Sequence, residues 1–217
     1  MSIDLVQTPT IQAVATADEP SLLADLEQRV EAAVRQAASQ PEVMAAEQRE
    51  RAAGERVAQL TRAERALNGH AHEIVQRTNK VREEALDVLI ATAGASEKLD
   101  FKPLAQLVAL EHRGRYLSRA LERLVEVRLP LERVMHLREE SHAAMVWAKA
   151  LEQVARERAE KLLDQLRDAV SEEVVLPVDM SKGVSGALLA QAAEHRRRAV
   201  AIAENADRLE KTFRGRP

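Results

Sequence analysis

Glu132, His136, Glu139 and His142 come nearest in this chain to a set of residues whose types and spacing could do chemistry. Helical bundles hold pairs of metal ions with inward carboxylates and Glu-x-x-His pairs, and Glu139 with His142 has that spacing. At 100° per residue Glu132, His136, Glu139 and Glu140 would share an arc of roughly 100°. Against this, Leu131, Val134, Leu137 and Met145 point to the other side of the same helix, and a second Glu-x-x-His is absent. The face reads as solvated, so neither a metal nor another cofactor is expected. His70 and His72 are two residues apart, which sets them about 200° apart on a helix, so with Glu73 they make only a loose grip.

The segment Ser181-Lys182-Gly183-Val184-Ser185-Gly186 has ingredients of an anion site before a helix, since free N–H groups of a first turn attract phosphate. It lacks the order of a phosphate-binding loop and reads as an ordinary turn. No Ser, His and Asp grouping suggests nucleophilic catalysis, and the chain has no cysteine. No enzyme is expected; a bundle metalloprotein or enzyme using Glu132, His136, Glu139 and His142 is the alternative.

The run His195-Arg196-Arg197-Arg198, with Arg208, Lys211 and Arg214, is the one basic concentration that could meet nucleic acid. Its acids answer it, because Glu194 with Arg198, Glu204 with Arg208, Asp207 with Lys211 and Glu210 with Arg214 are acid-first pairs four apart. The net charge is −3, so nucleic-acid binding is not expected and stands only as a weak alternative. The start of the chain has no basic n-region or continuous apolar stretch, and no run of about 18 uncharged apolar residues occurs. A cytoplasmic protein without membrane insertion is the expectation.

The elements that would position these residues are helices. Of 217 residues 38 are Ala and 26 Leu, against one Trp, one Tyr and two Phe, and with 7 Gly and 7 Pro there are too few turn-formers for a many-stranded fold. Residues 1–19 show no helical period and read as a disordered tail, as do 214–217. Asp18, Glu19 and Pro20 open a helix that Pro41 stops. From Glu42 to Ala93, every seventh residue from Ala46 is apolar through Ala53, Leu60, Leu67, Ile74, Val81 and Val88. Val43, Glu50, Val57, Glu64, Ala71, Thr78 and Ala85 form the companion row of a coiled-coil seam. A second long helix starts near Pro103, with Leu107, Leu110, Gly114, Leu117, Leu121, Leu124, Arg128 and Leu131 in three-four rhythm, and must kink or break at Pro130. Beyond it the stripe is Ala144, Ala148, Leu151, Ala155, Ala159 and Leu162. Val174 to Val178 reads as an extended connector. A last helix from about Ala187 to Phe213 carries Leu188, Ala192, His195, Ala199, Ile202, Ala206 and Leu209 on one stripe, which makes His195 a polar member of the core.

Two long helices joined by a short turn pack antiparallel. The expected architecture is all-α: an elongated antiparallel helical bundle or coiled coil, a single domain over 20–213 with a four-helix head and a two-helix arm over 67–130. Pairing about the turn sets Pro130 near Asn68 and Gly69, which predicts a shared hinge at Asn68, Gly69 and Pro130. At the arm tip Leu99 and Phe101 are large apolar residues among charged ones, candidate anchors for a protein partner, with a helix-start staple as the other reading of Phe101. The expected function is that of a non-catalytic structural or adaptor protein acting through coiled-coil protein contacts, homo-oligomeric and most simply a dimer.

Overall fold

The structure, a computed structural model, describes residues 19–93, 100–169 and 178–215. Among them there are only helices: α1 (Glu19–Ala38), α2 (Pro41–Ala93), α3 (Lys102–Glu122), a π-helical segment (Arg123–Arg128), α4 (Leu129–Ala169) and α5 (Val178–Arg214). The candidate anchor Leu99, the tail 1–18 and most of the connector at 174–178 lie outside the described residues.

α2 runs 53 residues without interruption because its two seam rows stay in phase throughout. Every member of both rows, from Val43 to Val88, is buried or half-buried, including Glu50 and Glu64. The pairs Trp147 with Glu47, His136 with Gly54, Gly114 with Ile74 and Glu111 with Arg82 fix a single antiparallel register along α2. α3 packs on α2 and on the π segment, and among the described residues no further helix packs closely along it. α5 returns along α4, tied by Arg196 to Glu152 at 2.7 Å and by the Ser141 hydroxyl donating to the Ala199 carbonyl at 2.8 Å.

The four helices expected in the head all contribute to it, but α1 and α2 do not lie side by side. α1 packs on α4 and α5, and it meets α2 only at the joint. There the Ser39 N–H still bonds the Arg35 carbonyl at 3.0 Å, and the Val43 and Met44 N–H groups restart the helix on the Gln40 carbonyl at 3.1 Å. Pro41, which has no N–H to give, accounts for the interruption between them. The core is therefore built around α4. Ala33, Ala37, Val43, Ala148, Leu151, Val154, Val184, Leu188 and Ala192 form one cluster in which alanines let the helix backbones approach.

Three readings of local structure are corrected. Ser181 to Gly186 is helical rather than a turn, since α5 begins at Val178. Val184 is buried four residues before Leu188, and Gly183 lies so close to α1 that a β-carbon there would meet Leu26 Cδ1 at 3.2 Å, so packing holds the glycines in the helix. Arg214 is the last residue of α5 rather than part of a tail.

The third correction concerns Pro130. The helix neither stops nor continues as α there; it widens into the π segment, where the Leu129 N–H donates to the Leu124 carbonyl five residues back. One extra residue is thereby absorbed. The seam steps from Leu124 to Leu129, which is 3% exposed, while Arg128 and Leu131, assigned to the stripe by their spacing, face solvent. Pro130 then sits in the first turn of α4 beyond the widened turn, where a residue without an N–H is tolerated.

Candidate functional site

The residues of the alternative metal reading, Glu132, His136, Glu139 and His142, are not brought together as a ligand set. Glu132 pairs with Arg128 at 2.8 Å, Glu140 accepts from Arg198 at 2.8 Å, and His142 is exposed. His136 turns its ring onto α2 at Gly54, where a β-carbon would lie 3.3 Å from its Cε1, so the ring serves as packing in a notch that glycine leaves open. Among the described residues no three His, Asp or Glu side chains converge as metal ligands, Glu139 included. His70 pairs loosely with Glu73 at 3.4 Å, and His72 turns to Gln76 at 2.9 Å.

Of the bases on α5, Arg196 and Arg198 pair across helices, whereas Arg214 pairs along its own helix with Glu210 at 2.6 Å, as its spacing placed it. Arg196 goes to Glu152, Arg198 to Glu140 rather than to Glu194, and Arg138 of α4 reaches Glu210. The hydrogen bond to Glu140 raises the Arg198 pKa above its ordinary value against the cost of burial, and the nearby charges of Glu140 and Glu50 add to the rise. Three helices thus meet in one charged layer. Beside it is a second layer: the Trp147 indole N–H donates to Glu47 of α2 at 3.0 Å, and the indole stacks on His195 of α5. His195 is half-buried on the stripe where its spacing placed it.

Asn68 and Gly69 are exposed within the unbroken α2, and nothing lies within 4 Å of a β-carbon built on Gly69. Of the three hinge residues, the structure departs from regular α-helix only beside Pro130.

The arm exposes several large apolar side chains. Phe101 is 68% exposed, Ile90 65%, Val108 63% and Leu86 58%, so the Phe101 ring is not folded away as a staple. A groove runs between α2 and α3 nearer the base of the arm. Val75, Asn79 and Arg82 form one wall of the groove, Glu111, Ser118 and Glu122 the other, and Ile74, Leu110 and Gly114 the floor. Val75, Arg82 and Leu89 are seven apart, as are Asn79 and Leu86, and likewise Glu122, Arg115, Val108 and Phe101. A seven-residue step returns to the same helix face, so the walls pass from charged at the base to wholly apolar at the tip. Its charged neighbours pointed to Phe101, but nothing in the turn pointed to Leu86, Leu89 and Val108. Their signal is this second sevenfold row, one position off the seam.

No family model, no curated protein and no solved structure matches the chain.

Proposed function

We propose that this is a non-catalytic structural or adaptor protein, cytoplasmic, that acts through protein contacts made by its two-helix arm and that self-associates, most simply as a dimer. One observation carries the reading. A pair of helices has only one seam in which to bury apolar side chains, yet Leu86, Ile90, Phe101, Val108 and Tyr116, all on the arm, are each more than half exposed. Burying such a side chain is worth about 1.5–3 kcal/mol, so this surface holds a large unused driving force for association. No helix among the described residues is long and apolar enough to cross a membrane.

The test is Leu86→Glu with Val108→Glu in the full chain, followed by size-exclusion chromatography with light scattering. Both residues are solvent-facing in a single chain, so helicity should be retained while the associated species is lost. An unchanged mass distribution would reject the arm as the contact element.

A further inference from the structure

We propose that the outer face of α3, the side turned away from α2, docks on the surface of an anionic lipid bilayer. Phe101 and Val108 enter the boundary of the acyl chains, and the arginines beside them take lipid phosphates. The chain lies on the membrane rather than crossing it. This goes beyond the protein contacts proposed above and does not need them, since a monomer presents the same face and Leu86 and Ile90, on α2, are not part of it.

Two observations meet on this face. The first is a line of exposed apolar side chains set among cations. α3 packs on α2 through Leu110, which is buried, and Gly114, which abuts Ile74. Set out at 100° per residue, Phe101, Val108 and Tyr116 fall on the other side of the helix with Arg113, Arg115, Arg119 and Arg123, within an arc of about 160° that holds no Asp or Glu. The three apolar side chains are 68%, 63% and 73% exposed in that order. Arg115 and Arg119 stand at the rim between this face and the groove, and Glu111 and Glu122 lie beyond them on the groove side.

The second observation is that these arginines are unspent. Arg82, Arg128, Arg138, Arg196 and Arg198 each meet a carboxylate, whereas among the described residues Arg113, Arg115, Arg119 and Arg123 meet none. Residues 102–128 hold six bases against three acids in a chain of net charge −3, so the surplus is local to this helix and the π segment. Glu111 is taken by Arg82, and Asp100 at the helix start accepts the Lys102 N–H at 3.0 Å.

Shape and mixture together select a bilayer. The face is the convex back of a single helix, about 33 Å long from Phe101 to Arg123. A rigid partner would need a matching hollow, whereas lipid headgroups rearrange around it. Apolar side chains in line with free cations are how interfacial helices bind: the apolar ones enter the acyl boundary, an aromatic hydroxyl stays at headgroup level and arginine forks hold phosphate. A nucleic acid would use the arginines and Tyr116 but leave Phe101 and Val108 in water.

Co-sedimentation of the full chain with vesicles tests this. Phosphatidylcholine vesicles with about 30% phosphatidylserine should bind the chain, and phosphatidylcholine alone should not. Arg115→Gln with Arg119→Gln and Arg123→Gln should weaken binding about a hundredfold, at roughly fivefold per cation. Arg51→Gln with Arg56→Gln and Arg62→Gln removes the same charge from exposed positions of α2 and should change binding by no more than about twofold. Because the chain has no cysteine, an environment-sensitive dye on Ala105→Cys reads the face with all its arginines in place. Its emission should shift to the blue when the mixed vesicles are added. The same dye on Glu83→Cys, exposed midway between the buried Val81 and Ala85 on the far side of α2, should not respond. Binding that ignores phosphatidylserine, full binding by the α3 triple variant, or a shift at Glu83 equal to that at Ala105 would overturn the proposal. So would a labelled single-stranded oligonucleotide that displaces the vesicles and is lost with the same three arginines, which would make the ligand a nucleic acid.

Discussion

The Trp147 indole and the His195 imidazole stack with ring centroids 5.9 Å apart and planes 12° from parallel, joining α4 to α5 at the height where the indole N–H reaches Glu47 of α2. Three helices are tied by one aromatic side chain in a chain with a single Trp. Trp147→Phe keeps most of the packing and removes the hydrogen bond, with an expected loss of about 1–2 kcal/mol. Glu47→Gln keeps an acceptor and should cost less. A double-mutant cycle between Trp147→Phe and Glu47→Ala, followed by urea unfolding, should show a coupling of at least about 0.5 kcal/mol. Additive effects would mean that the bond contributes nothing.

The glycines of α2 should behave oppositely to one another. Gly69 faces open space, so Gly69→Ala is expected to stabilise the chain by about 0.5–1 kcal/mol through helix propensity alone. At Gly54 the same gain is opposed by the His136 ring at 3.3 Å, and Gly54→Ala should yield less or destabilise. Thermal melts of the two variants side by side decide it. Equal gains would mean that His136 moves aside freely.

The π segment makes a sharper demand. Deleting Val127, which is 51% exposed, would let Leu124 and Leu129 stand four apart as an ordinary α-helix, with the seam preserved, but would return Pro130 to a helix interior at a cost of about 3 kcal/mol. Pro130→Ala should therefore stabilise the deletion variant by about that amount and the parent chain by much less. Equal effects in both backgrounds would show that the widened turn does not accommodate the proline.

These elements also show what could be read from the residues alone. The rows from Val43 to Val88, and the stripe from Leu188 to Leu209, were legible because each keeps one phase over many turns, so a single buried face follows. The jump from Leu124 to Leu129 was not. A one-residue slip alters spacing no more than ordinary irregularity does, and Arg128 and Leu131 fitted the unslipped rhythm equally well. Gly183 and Gly186 were misread as a turn because their local preference is overridden by Val184 and Leu188 packing on the core, a tertiary effect. The joint at Pro41 was visible, but whether α1 would fold back beside α2 depended on which helices could cover its alanines.

The basic run on α5 is expected to be inert toward nucleic acid. Arg196 and Arg198 already meet Glu152 and Glu140 across the helix pair, and binding DNA would require giving up those partners. At 150 mM salt, fluorescence anisotropy with a labelled duplex should show no saturable binding at micromolar protein; a steep salt-dependent isotherm would contradict this. Because the pairs are solvent-exposed on the arginine side, Glu140→Gln should cost no more than about 1 kcal/mol.

The central claim is that the arm is an association surface, and sedimentation equilibrium of the full chain at micromolar concentration tests it most directly. The expected result is a species of twice the 24.1 kDa chain mass that dissociates on dilution. A single ideal species of 24.1 kDa over the whole concentration range would contradict it.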